Sequence, residues 1–161
     1  MAIASLKGKV VIVTGASSGF GAAAGKLFAS NGSKVVLAAR RFDRLQELAK
    51  EIRAAGGDAL SVATDVSKPD QIKAMVGTAL ESYGQIDILF NNAGFGRLDW
   101  LEKFDPVVDI QEQITVDLLG LIWTTQMVLP QMYKQRSGHI INMCSMSGWA
   151  SPPLYTIYSA A

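Results

Sequence analysis

Residues 9–21 read KVVIVTGASSGFG, an uninterrupted β-branched run that breaks into a glycine-rich turn. Lys9 to Thr14 has the composition of a strand buried on both faces. Gly15, Gly19 and Gly21 allow a sharp turn and a close backbone approach to a ligand. From Gly19 a helix is predicted to Asn31, with small residues along one face and Gly32 ending it. Such a helix start offers free N–H groups and a positive dipole end, which suits a pyrophosphate. The strand–turn–helix setting makes the pattern more than a loose glycine cluster. The plain alternative is a tight turn that binds nothing.

Working outward, the same alternation recurs. Lys34–Ala39, Ala59–Thr64, Ile86–Phe90 and His139–Met143 read as four further strands. Asp43–Ala55 reads as a helix capped by Asp43 and stopped by Gly56-Gly57. Ser67 is read as the cap of a helix over Pro69–Tyr83, with proline in its first turn. A long helix is expected from Asp105 or Pro106 to about Arg136, bent near Pro130. Strands alternating with helices imply an α/β, Rossmann-type doubly wound parallel sheet with helices on both faces. The whole chain, 1–161, reads as one dinucleotide-binding domain with about five strands present. Ligands of such sheets sit at the carboxyl ends of the strands. The fifth strand is too apolar for a comfortable sheet edge. The sequence stops in what reads as the first turn of a helix. Both features are expected of a domain whose C-terminal strands are missing from this sequence.

Composition narrows the function. Hydrophobic residues make up 49% of the 161 and charged residues 18%, which is globular rather than disordered. A formal net charge of +1 gives no bulk attraction to nucleic acid or anionic membrane. Cys144 is alone, so no intramolecular disulfide forms, which fits a reducing, cytoplasmic setting. Read as a small apolar residue at a strand end, Cys144 is expected to be buried. His139 has no paired ligand, so no metal site is expected. Met1–Gly8 shows no leader pattern, and no run of residues is long and apolar enough for a membrane span.

The spacing Thr14-Gly15-x-x-x-Gly19-x-Gly21 resembles the short-chain dehydrogenase/reductase family in its single-domain subfamily. Further matches extend along nearly the whole chain: Asp65-Val66 after the third strand, Asn91-Asn92-Ala93-Gly94 after the fourth, then Ser145, with Tyr158 thirteen positions later. The resemblance implies a cofactor site formed by Gly15, Ser17, Ser18, Gly19, Phe20, Gly21, Asp65, Val66, Asn92, Ala93 and Gly94. It assigns proton transfer to Tyr158 and the substrate oxygen to Ser145. Tyr155 and Ser147 rank second because their intervals fit less well. A lysine four places past the tyrosine, at position 162, would complete the motif. Asp117 stands where the family commonly has asparagine, and is a weaker catalytic candidate.

The choice of cofactor comes from the end of the second strand. An NAD site usually has a carboxylate there for the ribose 2′-hydroxyl. This chain reads Ala38-Ala39-Arg40-Arg41, with two guanidiniums able to fork onto a 2′-phosphate. NADP is therefore expected over NAD. One arginine, Arg41 more than Arg40, could instead only begin the solvated face of the next helix. The expected function is an NADP-dependent carbonyl reductase or alcohol dehydrogenase acting on a small molecule. The alternative, if the chain ends at Ala161, is a non-catalytic dinucleotide-binding protein or an inactive fragment. Trp149–Leu154 is expected to form an apolar pocket wall. The long helix is expected to contribute to a homodimer or homotetramer.

Overall fold

The computed structural model describes residues 5–161, so part of the Met1–Gly8 stretch read for a leader lies outside the described residues. Five parallel strands form one sheet: β1 (Val10–Thr14), β2 (Lys34–Ala39), β3 (Asp58–Ala63), β4 (Ile88–Asn91) and β5 (His139–Asn142), in the order β3-β2-β1-β4-β5. The chain direction across the sheet reverses between β1 and β4, which is the switch point where ligands bind. Val13 lies opposite Leu37 on one side and Phe90 on the other.

Alternation along the strands divides the core in two. Val11, Val13, Val35 and Leu37 meet Ala29 of helix α1 (Gly19–Ser30) and Leu45, Leu48 and Ile52 of α2 (Phe42–Ala54). Ile12, Val36 and Leu89 face the other way. They meet Ile72, Met75 and Ala79 of α3 (Pro69–Tyr83), with Val128 and Met132 from a later helix. Each such aliphatic side chain contributes about 1.5–3 kcal/mol through burial. β1 is buried along its full length, so its continuous β-branched run follows from its central place. The buried face of α1 is Gly21, Gly25 and Ala29, which lets the helix lie close on the sheet. At the amino end of the sheet, Asp87 accepts from Lys9 Nζ (2.8 Å), the Val10 amide (2.9 Å) and Gln85 Nε2 (2.7 Å).

The structure alters several expectations. Ser67 does not cap α3. Its amide donates to Asp65 Oδ1 at 2.9 Å in a local turn, and Lys68 occupies the cap position. Asp43 does not cap α2 either, because the helix starts one residue earlier, at Phe42. The single long helix is wound in four pieces: a π-helical stretch Pro106–Gln111, α4 (Glu112–Ile114), a second π-helical stretch Thr115–Leu119, and α5 (Gly120–Gln135). Asp105 does start it, accepting from the Val107 and Val108 amides at 2.8 Å each. Pro130 lies inside α5, which runs on past it to Gln135. Cys144 is exposed, because the chain leaves the sheet after Asn142. Trp149, in the short helix α6 (Ser147–Ala150), is 90% exposed. A final helix, α7 (Thr156–Ala160), carries Tyr158. Among the described residues, no helix is long and apolar enough to cross a membrane, and no three His, Cys, Asp or Glu side chains converge on a metal position.

Candidate active site

The glycine turn lies at the carboxyl end of β1, beside the switch point. Gly15 has φ +66°, and a Cβ there would fall 2.8 Å from the Ala93 Cα. Gly21 has even less room: a Cβ would fall 2.5 Å from the Gly15 carbonyl oxygen and 2.6 Å from Asn92 Nδ2. These two glycines are required because the loop after β4 packs directly on the turn. A Cβ on Gly19 would instead meet nothing within 4 Å. Ser18, the cap residue of α1, makes no side-chain bond to the helix's first amides. An open cradle over uncapped helix amides fits the pyrophosphate of a dinucleotide. Phe20 projects 77% exposed beside it.

The loop after β4 is fastened to β1 by polar side chains. Asn92 Nδ2 donates to the Thr14 carbonyl, and Thr14 Oγ1 accepts from the Asn92 and Ala93 amides, each at 3.0 Å. Asn91 is buried and donates to Thr125 Oγ1 and Asn142 Oδ1, both at 3.0 Å, tying β4 to α5 and β5. Val66 is buried after β3 against Gly120, while Asp65 shapes the turn there and its amide donates to Gln71 Oε1 at 2.8 Å.

Arg41 does more than begin a solvated helix face. Its Nη2 donates to Ser17 Oγ at 2.9 Å and to Ser18 Oγ at 2.7 Å, and its Nε to Ser17 Oγ at 3.1 Å. The guanidinium therefore lies over the glycine turn. Arg40 is exposed at the end of β2.

On the other side of the switch point, Tyr158 faces Gly96: a Cβ there would lie 3.7 Å from the tyrosine ring. Tyr155 packs beside it, ring centroids 5.7 Å apart. Ser145 is exposed, and its Oγ accepts from the Ser147 amide at 3.1 Å. Asp117 reaches the same loop. Its Oδ1 accepts from the Phe95 amide at 3.0 Å, while its Oδ2 is buried without a partner. Burial pushes this carboxyl above the usual carboxylate range, against the opposing pull of the Phe95 amide and the Gln113 side chain.

Sequence reasoning missed Gln113, which is fully buried and donates from Nε2 to the Phe95 carbonyl at 2.9 Å. Its spacing of one helical turn before Asp117 was the available signal. It also missed Arg97, which joins the loop to the long helix through Asp109 (3.0 Å) and Glu112 (2.6 Å).

The family model for short chain dehydrogenases matches residues 9–161. The chain belongs to the short-chain dehydrogenase family. An uncharacterised oxidoreductase of Staphylococcus saprophyticus is 42% identical over 155 residues, which are 96% of this chain and 61% of that protein. A short-chain dehydrogenase/reductase from Burkholderia phymatum, solved in complex with NAD, superposes with a TM-score of 0.94 at 37% identity, covering 98% of this chain and 56% of that one. A metagenomic short-chain oxidoreductase, solved with NADP, superposes at 0.92 with 38% identity, covering 98% and 71%. The chain thus spans about three-fifths of the length of curated relatives that it matches. The chain has the Rossmann-type sheet of its family, and the family is one of oxidoreductases.

Proposed function

We propose that this short-chain dehydrogenase interconverts a carbonyl and an alcohol with NADP as the preferred cofactor. One observation carries the reading. Asn92 is locked to the glycine turn, and Gly96, four residues on, faces the Tyr158 ring, so one loop joins the phosphate cradle to the proton donor.

When bound, the nicotinamide supplies or takes the hydride. Gly15, Ser17, Ser18, Gly19, Phe20 and Gly21 surround the phosphates. Asn92, Ala93 and Gly94 form the floor beside the nicotinamide end, and Asp65 and Val66 flank the adenine end. In reduction, the Tyr158 hydroxyl gives its proton to the substrate oxygen as the C–H bond forms. In oxidation, the phenolate takes the proton back. Ser145 Oγ is held as an acceptor by the Ser147 amide, which leaves its own O–H to donate to the substrate oxygen. Arg41, already over Ser17 and Ser18, supplies positive charge for a 2′-phosphate, with Arg40 as its neighbour.

The substrate is a small carbonyl or alcohol. Half-exposed Ile122 on α5 supports a homodimer or homotetramer through that helix. The lone cysteine supports a cytoplasmic setting. The test is NADPH and NADH consumption over a panel of aldehydes and ketones, with the full-length protein and its Tyr158→Phe variant. The variant should lose at least about 100-fold in kcat. Equal turnover by the two proteins removes Tyr158 from the mechanism, and equal use of both cofactors removes the NADP preference.

A further inference from the structure

We propose that Gln113 is a positioning residue: with Asp117 it brackets the main chain of Phe95 and thereby fixes the Gly94–Gly96 segment against the Tyr158 ring. The inference rests on the oxidoreductase reading above and adds a residue to it.

The bracket has two hydrogen bonds. Asp117 Oδ1 accepts the Phe95 N–H at 3.0 Å, and Gln113 Nε2 donates to the Phe95 C=O at 2.9 Å. The two peptide units that meet at Phe95, 94–95 through its N–H and 95–96 through its C=O, are thus held by two side chains a single turn apart. The glycines on either side leave no slack. A Cβ on Gly94 would lie 3.2 Å from Asp117 Oδ1, and one on Gly96 would lie 3.7 Å from the Tyr158 ring and 4.0 Å from Tyr155. α4, which carries Gln113, also packs against α7, which carries Tyr158. Gln113 therefore acts on the tyrosine from both the loop side and the helix side.

Stability alone does not account for this pair. Gln113 is fully buried, yet its Oε1 has no partner, and neither has the buried Asp117 Oδ2. Two orphaned oxygens side by side cost stability that an apolar pair of the same volume would not. The helix is also π-wound on both sides of α4. Such irregular winding recurs at functional sites, where it re-aims side chains. Here the side chains so aimed are Gln113 and Asp117. An asparagine at position 117 could both accept and donate. Asp117, when ionised, only accepts. Gln113 supplies the missing donor.

The experiment uses the full-length protein, with Gln113→Met (same length, no amide) and Gln113→Glu. Each is measured for kcat and KM. Each is also paired with its own Tyr158→Phe derivative, so that the ultraviolet difference titration reports the Tyr158 phenolate alone. Gln113→Met should displace the Tyr158 titration midpoint and lower kcat about tenfold, as for a small misplacement of a reacting group. Its cofactor KM should change much less.

Gln113→Glu should behave like the parent while its carboxyl is protonated and can donate to the Phe95 carbonyl. It should behave like Gln113→Met once ionised. Burial and the facing Asp117 carboxyl raise that transition. The other titratable groups around it, Arg97, Asp109, Glu112, Tyr155 and Tyr158, are the same in the parent. A parent-like Tyr158 titration and kcat in Gln113→Met overturns the proposal. If Gln113→Met does not fold, failure of protonated Gln113→Glu to match the parent overturns it instead. If the parent reduces no carbonyl with either cofactor, the oxidoreductase reading falls, and the Tyr158 titration alone then decides the positioning role.

Discussion

Asn92 donates twice to Thr14: its side chain to the Thr14 carbonyl and its backbone amide to Thr14 Oγ1, each at 3.0 Å. These contacts join the carboxyl end of β1 to the loop after β4 across the switch point. They also leave the Asn92 side chain directly above Gly21, where a Cβ would lie 2.6 Å away. Asn92→Ala removes the donor and leaves the Thr14 carbonyl short of a partner. It should lower unfolding free energy by about 1–3 kcal/mol in urea denaturation. It should also weaken binding of NADPH and NADH alike, since the cradle loosens whichever cofactor is offered.

Gly21→Ala attacks the same contact from the other side. The new methyl would sit 2.5 Å from the Gly15 carbonyl oxygen, a backbone atom that cannot swing aside. Overpacking of this kind should cost about 1–3 kcal/mol. Thermal unfolding with and without NADPH checks it, and the cofactor-induced rise in Tm should shrink as well.

Arg41→Ala separates the cofactors. The guanidinium over Ser17 and Ser18 should matter for a 2′-phosphate and little for a 2′-hydroxyl. Calorimetric titration should show the NADPH Kd rising about tenfold or more, with the NADH Kd nearly unchanged. Arg40→Ala should show a smaller rise.

Asp117→Asn should change the pH dependence of stability. Burial raises the Asp117 carboxyl in the folded state, so the protonated form is the one folding favours. Its contribution is fully present below the unfolded value of about 4 and is lost as pH rises through the higher folded value. The asparagine variant should therefore be more stable than the parent near neutrality. The difference should vanish in acid. Urea unfolding between about pH 4 and pH 8 tests this.

Much of the fold around the candidate site could be read in advance because it depends on local chemistry. The β-branched run, the glycine spacing and the first helix announce themselves within thirteen residues, since buried parallel strands and tight turns restrict residue type. Val66, Asn92 and Tyr158 follow from spacing within a family resemblance. Ser67 and Asp43 were misread as caps because both residue types also make turns and first-turn contacts, and only the backbone path distinguishes these uses. The π-winding after Pro106 was illegible: its apolar pattern is that of an ordinary helix, and the extra residue per turn appears only when the helix is laid on the sheet.

The amino-acid sequence by itself determined the parallel sheet, the position of the glycine turn and the chemical types available at its rim. These rest on the conformational limits of glycine, proline and β-branched side chains, which act within a few residues. Only the tertiary structure decided that Arg41 rather than Arg40 lies over Ser17 and Ser18. Only it showed that Cys144 and Trp149 face solvent. Only it brought Gln113 and Asp117 onto the carbonyl and the amide of Phe95, 18 and 22 residues away along the chain. Hydrogen bonds between such distant groups depend on where two loops and a helix come to rest, and that is set by packing on the sheet as a whole.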